Sequence, residues 1–580
     1  MNRKAITRDT GTARGQSEQT AVHKALALSL SPLAASLALA LAAPLQAHAQ
    51  TGATDAVPAG TSAPAGTTLP SGTGLTPGDT GQGLSLPDLG GGRRIDPPVL
   101  LPGVRASATL TDNVGLASAG EEADLFFEVS PYLIASSQRP GATYNVSYQL
   151  RNFFRVGDAD FNLFRHNLVA NGSFALVSDN LWLDASGYMG SVATSIGGAL
   201  STDQTATFSG NTSRFRSFTV SPWYRNNLGR FASYNLRYSY TQTSGNTGLT
   251  LADSTQSVSG SIAGIDVGRD WNWQAFGNFQ RQFYTGGFER DRRGSGVNLS
   301  YRVSHTLMLR AGAVYDQIDG VRNEEGDDFG WGPLLGFDWN PNSRLSVSAE
   351  IADRYYGTSG SARVAWNTAR STTGIQYTRG VITNADSALL AINPLALTAN
   401  PLGLPNDVLS SLLASGVVLP TGLPITSLLI TDSAQLESRF TAFWGLRGAS
   451  RSLTLSAWWS KRENGYTLNQ PSTSVGGIRG TTTAATSFLQ EIRERGLALT
   501  GQQRLDGRSS LEASIDRRIV ETPTLGTETT LTTLRAGVST VLDSKTTAFA
   551  GIRHAQQRAS GSGARYDENA VYGGIDMKFK

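Results

Sequence analysis

From about residue 104 to its end the chain alternates apolar and polar residues, in stretches of about ten. Tyr144, Val146, Tyr148 and Leu150 interleave with Asn145, Ser147, Gln149 and Arg151. Leu345, Val347, Ala349 and Ile351 interleave with Ser346, Ser348 and Glu350. At the C-terminus Val571, Gly573, Ile575, Met577 and Phe579 interleave with Tyr572, Gly574, Asp576 and Lys578. A strand sends successive side chains to opposite faces, so each stretch has one oily face and one wet face.

A soluble sandwich would show the same period of two. Three features predict membrane-crossing strands instead. Many stretches are longer than the ~9–11 residues a tilted strand needs to cross a bilayer. Aromatic residues gather near the ends of the stretches, where membrane barrels carry interfacial girdles. The girdle candidates are Trp223, Tyr224, Trp271, Trp273, Trp331, Trp339 and Trp459. Finally, short and long connections alternate. Arg139-Pro140-Gly141, Leu228-Gly229-Arg230, His305, Asn340-Pro341-Asn342, Asp506-Gly507 and Asp543-Ser544 read as tight turns. Thr194 to Ser213, Asp319 to Asp328 and Asn464 to Arg493 read as long loops.

The predicted fold is all-β: a transmembrane antiparallel up-and-down β-barrel of about 22 strands, within 20–22, in the cell outer membrane. Short turns face the periplasm and long loops the exterior, and an even count returns both termini to the periplasm. Pro131 and Pro222 fall within strands, where a missing N–H costs a ladder bond. Residues 255–268 alternate poorly, and Lys580 follows Phe579 where a barrel-end signal usually finishes on an aromatic residue.

Ahead of the barrel, Lys24 to Ala49 has basic residues, an apolar run from Ala25 to Leu41, and Ala47-His48-Ala49 before Gln50. Residues 1–49 are therefore expected to be a signal peptide, cut between Ala49 and Gln50; an N-terminal anchor would share the apolar run but not need the A-x-A site. Residues 50–101 are Thr-, Gly-, Ala-, Ser- and Pro-rich, with too little apolar surface to offset ordering, and are expected to form a disordered periplasmic arm. Residues 102–580 would be the barrel. Within it 380–433 breaks the alternation with leucine clusters. Asp407 to Ser415 reads there as a short helix between Asn406 and Gly416. A self-packed surface lobe, an inward pore-constricting loop and a partner-binding site all remain open for this insert.

Composition narrows the classes. The 580 residues hold no cysteine, which excludes disulfides and thiolate chemistry. The net charge of +3 resides in the first 25 residues, five basic against two acidic, so no basic stripe for nucleic acid exists. With 39% hydrophobic residues and no apolar run of membrane-helix length after residue 50, transmembrane helices are excluded from the mature chain. No HExxH, GxSxG or paired-histidine motif occurs. His166, in phase with Phe164 and Leu168, is expected on the lipid-facing side, and His305 in a turn. No catalytic residues, metal or cofactor are expected, and the chain reads as a non-enzyme. Lumen-facing candidates are Arg151, Asp184, Arg237, Arg310, Asp338, Arg344, Glu350 and Arg354, mixed charges suited to a water-filled interior. Because the mature chain is neutral, strong anion selectivity is not predicted.

Ala108-Thr109-Leu110-Thr111-Asp112-Asn113-Val114 with Leu116, Val129-Ser130-Pro131, Tyr148-Gln149-Leu150, His166-Asn167, Leu181-Trp182-Leu183-Asp184-Ala185 and Val220-Ser221-Pro222-Trp223-Tyr224-Arg225 follow one another in a specific order. In that order, and in its Leu-rich insert, the chain from about Val104 resembles the outer-membrane proteins associated with the PEP-CTERM/exosortase system. The resemblance implies a role in exporting polysaccharide, or in surface display, and carries over no functional residues. Three functions are thus in play. The first is an export channel, with extracellular polysaccharide or periplasmic export components as partners. The second is a non-conducting surface anchor whose loops bind matrix or sorted proteins. The third is an energised uptake receptor, a class that carries a folded plug of well over a hundred residues where only the arm stands here. All three share outer-membrane lipid and the barrel assembly machinery as partners.

Overall fold

Twenty-two strands follow one another in the computed structural model. They are β1 (Val99–Thr111), β2 (Asp124–Arg139), β3 (Ala142–Arg155), β4 (Asn162–Val177), β5 (Leu181–Ala193), β6 (Thr212–Leu228), β7 (Ala232–Gly245) and β8 (Ala252–Gly264). Then come β9 (Trp271–Tyr284), β10 (Phe288–Arg302), β11 (Leu307–Ile318), β12 (Phe329–Asn342), β13 (Leu345–Arg354), β14 (Gly357–Asn367) and β15 (Ser371–Ile382). The circuit finishes with β16 (Gln435–Arg447), β17 (Arg451–Asn464), β18 (Ile492–Arg504), β19 (Ser509–Thr522), β20 (Thr527–Val541), β21 (Thr546–Ala559) and β22 (Tyr566–Lys578). The described residues are 98–139, 141–156, 162–177, 180–193, 197–201, 208–245, 252–264, 270–284, 288–319, 327–382, 435–464, 491–523, 526–561 and 563–579. The proposed signal peptide, the arm up to residue 97 and the insert from 383 to 434, with its expected helix, lie outside them.

Each strand pairs antiparallel with its predecessor, and β22 pairs with β1 from Gly103↔Lys578 to Thr111↔Ala570. The sheet is closed, so no edge exposes unpaired backbone. Its surface is inverted relative to a soluble protein. Leu335, Leu299 and Ile552 are 58%, 51% and 51% exposed, whereas Arg151, Glu350 and Gln557 are 7%, 6% and 0% exposed. Apolar side chains face outward and polar ones inward, as in a barrel solvated by lipid. The chain is an outer-membrane β-barrel.

The end of the barrel that holds the start of β1 and the end of β22 carries the tight turns. One device recurs there. Asn342 Oδ1 accepts the N–H groups of Arg344 and Leu345 at 2.9 and 3.0 Å. Asp506 Oδ1 accepts those of Arg508 and Ser509 at 2.7 and 2.6 Å, and Asp543 Oδ1 those of Lys545 and Thr546 at 2.7 and 2.9 Å. The Ser304 and Thr368 hydroxyls do the same for residues two and three positions on. Such side chains replace ladder bonds that the reversing backbone cannot make. Gly141 and Gly229 take positive φ (80° and 57°) in two further turns.

The in-strand prolines are accommodated without loss of register. Pairing of β2 with β3 passes from Val129↔Asn152 to Tyr132↔Gln149, skipping Ser130 and Pro131. Pairing of β6 with β7 passes from Val220↔Tyr240 to Trp223↔Arg237, skipping Ser221 and Pro222. The Asn340-Pro341-Asn342 turn is displaced: β12 continues to Asn342 through a register shift after Trp339, because Pro341 has no N–H for the ladder. Pairing with β1 also continues past β22, where the Phe579 N–H donates to the Pro102 carbonyl at 2.8 Å.

Candidate functional site

The inner wall is where this chain places its charge. Arg151 on β3 holds Glu128 on β2 with two bonds of 2.7 and 2.6 Å. Asp184 on β5 accepts from Ser173 on β4 at 2.7 Å and from Arg237 on β7, reaching past β6, at 2.7 Å. Arg310 on β11 donates to Asp338 on β12 at 2.7 Å and to Glu350 on β13 at 3.3 Å. Arg354 on β13 pairs with Asp316 on β11 and donates to Ser359 on β14 at 2.6 Å. Seven of the eight residues expected in the lumen therefore lie on the inner face within ion pairs. Arg344 is placed elsewhere: it is exposed in the turn between β12 and β13.

The aromatic residues divide between the faces. On the outer face Trp331 and Trp459 lie towards the loop end, while Trp271, Trp273, Trp339 and Tyr224 lie towards the turn end. Trp271 packs on Tyr301 at 4.5 Å and Tyr224 on Tyr234 at 5.9 Å. Trp223 does not belong to this girdle. It shares the phase of Ser221 and points inward, stacked on Trp182 at 5.7 Å with the Arg237 guanidinium 5.5 Å from its ring. Adjacent residues of a strand face opposite sides, so Trp223 and Tyr224 cannot both face lipid.

Several wall residues carry no signal beyond their phase. Glu437 accepts from Arg439 at 2.8 Å and Arg462 at 3.1 Å. Glu494 takes the Trp458 indole N–H at 3.2 Å, with Arg518 at 3.6 Å. Glu568 holds Arg553 at 2.5 Å and the Thr111 hydroxyl at 3.2 Å, and the Tyr132 hydroxyl donates to Asp576 at 2.6 Å. Counting by twos from Arg310 would have reached Asp316, and from Arg462 would have marked its wall.

Two connections at the loop end fold inward onto this wall. In the β1–β2 connection the Asn113 amide donates to the Ala117 carbonyl at 2.8 Å and to the Asp567 carbonyl at 3.0 Å. Val114 packs with Phe126, Phe153 and Phe208. Leu116, held at φ 53°, packs with Ala199, Leu200, Leu531, Ala555 and Tyr566. In the β5–β6 connection residues 197–201 dock on the far side of the β1 seam. Gln557 accepts the Leu200 N–H and donates to the Gly198 and Ala564 carbonyls, each at 2.9 Å, and the Tyr566 hydroxyl donates to the Leu200 carbonyl.

His166 meets the Tyr148 hydroxyl at 2.9 Å on the outer face, His554 meets Asn569 at 2.8 Å, and His305 is exposed in a turn. Among the described residues no three His, Asp or Glu side chains are grouped to hold a metal ion. Outside the strands, the backbone amides that Asp506 and Asp543 accept hold both carboxyls below the usual range. Burial raises the Tyr355 hydroxyl and pushes that of Tyr356 up to about 12.

No protein-family model matches the chain, and neither does any curated protein. Solved structures of similar architecture include the siderophore receptor PirA from Pseudomonas aeruginosa, at 11% identity over 82% of this chain and 80% of that one, with a TM-score of 0.38. PirA from Acinetobacter baumannii shares 7% identity over 84% and 81%, with a TM-score of 0.43. The FrpB iron transporter from Neisseria meningitidis shares 10% over 83% and 82%, with a TM-score of 0.42. The likeness is one of barrel architecture and extends to no substrate.

Proposed function

We propose that this protein is an outer-membrane channel serving the export of extracellular polysaccharide, in association with a PEP-CTERM/exosortase surface system. The observation that carries the reading is the inner wall. Arginine–carboxylate sets recur from β2–β3 through β5–β7, β11–β13 and β16–β19 to β21–β22. Paired charges keep a passage wet without a strong field of one sign, which suits a polyhydroxylated polymer better than a small ion. The ordered motifs that resemble the PEP-CTERM-associated proteins supply the association. Asn113 and Leu116 in those motifs anchor the inward β1–β2 connection, and Ser130-Pro131 and Ser221-Pro222 mark the two skipped pairings.

The test is single-channel conductance of the refolded mature barrel in a planar bilayer, beside a variant lacking Gly380 to Ser433. A current that appears or rises on deletion is expected if the insert narrows the passage. The inward docking of residues 197–201 on β21 and β22 favours a second reading, a filled barrel serving as a surface scaffold. Silence from both proteins would establish that reading and remove the channel.

A further inference from the structure

Towards the loop end the inner face of β12 is bare, while Leu334 and Asp338 occupy it further along. Gly330, Gly332 and Gly336 occupy inward positions. A β-carbon on Gly332 would overlap the Asp353 carbonyl, and one on Gly330 would lie 2.7 Å from the Tyr355 β-carbon. The β13–β14 hairpin uses that room. It leans across β12 far enough for Arg354 to bond Asp316 on β11, and Tyr356 packs against Ile318, Val381 and Leu436. Its tip, Tyr355-Tyr356, thus lies beside the inward residues of β10 and β11.

One of those residues is Arg292 on β10, opposite Gln280 on β9 and Ile318 on β11. Arg292 and Gln280 are 4% and 1% exposed. Among the described residues no atom accepts from Nε, Nη1 or Nη2 of Arg292, and neither polar atom of the Gln280 side chain has a partner. The Tyr355 and Tyr356 hydroxyls are buried as well. Arg292 lies near enough for its charge to act on Asp316, Tyr355 and Tyr356, but Asp316 is already taken by Arg354. Within Arg292, Arg354 and Asp316 one positive charge remains uncompensated.

A buried cation without hydrogen bonds is costly to maintain, and the planar guanidinium fork matches the paired oxygens of a carboxylate or phosphate. We propose that Arg292 and Gln280 form an oxyanion-binding site in the wall of the lumen, roofed by Tyr355 and Tyr356. The oxyanion enters from the lumen and accepts two guanidinium N–H groups and the Gln280 amide N–H. The site deepens the channel reading by giving the passing saccharide an acidic group, a uronate carboxylate or a phosphate ester. It rests on that reading only for the route by which the ligand arrives.

The experiment is calorimetric titration of the folded barrel in detergent with a hexameric uronate oligosaccharide, with inorganic phosphate and with neutral maltohexaose, repeated on Arg292→Gln and Tyr356→Ala. Binding of the uronate, the phosphate or both is expected, weakened tenfold or more by Arg292→Gln and kept or tightened by Tyr356→Ala, which thins the roof. Whichever anion binds more tightly identifies the source of the oxyanion. Absence of binding by both anions to wild type and Tyr356→Ala overturns the proposal. So does equal affinity in a folded Arg292→Gln barrel, or equal affinity for maltohexaose. Bilayer currents from the same preparations keep the two readings apart: binding without current retains the site and removes the channel, and current without binding does the reverse.

Discussion

Gly330, Gly332 and Gly336 alternate along β12 with Trp331, Pro333, Leu335 and Phe337, so three of the inward positions of this strand carry no side chain while its outer face is bulky. The bare face lets ion pairs pass over a strand. Arg310 reaches Glu350, and Arg354 reaches Asp316, each spanning from β11 to β13. Breaking one partner of such a buried pair leaves an uncompensated charge, which costs more than the pair contributes. Gly332→Val brings this to a single position. Its side chain would overlap the Asp353 carbonyl and force the β13–β14 hairpin off β12. Destabilisation of roughly 3 kcal/mol, at the upper end of overpacking costs, is expected in urea unfolding of the refolded barrel. Gly115→Ala, where an added β-carbon meets nothing within 4 Å, serves as the control. Equal midpoints for the two variants would show that the hairpin does not depend on the close approach.

The hairpins at the turn end depend on capping side chains, and two of these titrate. Asp506 and Asp543 have folded pKa values depressed by the amides they accept, so the stability they confer is fully present above the ordinary aspartate range and is lost as the pH falls through the folded values. Replacing both by Asn keeps an acceptor while removing the titration. The double variant should show a flatter acid limb than wild type when urea midpoints are compared between pH 6 and pH 3, and an unchanged limb would assign acid sensitivity elsewhere. These turns were legible from residue type alone, because Asp, Asn and Gly at a break in alternation have few other uses. Strand β8 was legible only from its neighbours: Ser254, Ser257, Ser259, Gly260 and Ser261 blur the alternation, yet it pairs regularly with β7 from Ala232↔Gly264 to Gln242↔Ser254. The tight β13–β14 connection broke the expected alternation of short and long. Its hairpin lies close against the glycines of β12, which a reading of apolar periodicity passes over. In the site, phase alone placed Asp184, Arg310 and Glu350, but which arginine lacks a partner depends on contacts two strands away.

A closed barrel of 22 strands encloses a lumen too wide for wall side chains to fill, so what lies across it decides whether the molecule conducts. Residues 197–201 are the described segment that docks from the β5–β6 connection onto β21 and β22, and Gln557 is the hub of that dock. Gln557→Ala removes three hydrogen bonds and leaves the Leu200 N–H and two carbonyls without that partner, a loss of roughly 2–4 kcal/mol from docking. Strand pairing involves only the backbone of residue 557, opposite Leu531 and Tyr566, so the barrel itself should stay folded. Single-channel recordings should then show larger and noisier currents from Gln557→Ala than from wild type. Should current rise only when Gly380 to Ser433 is deleted, the constriction belongs to the insert and the docked segment merely braces the mouth. If either change alone opens the passage fully, the insert and the docked segment act together as one constriction, since of two separate constrictions in series the one left in place would still limit the current.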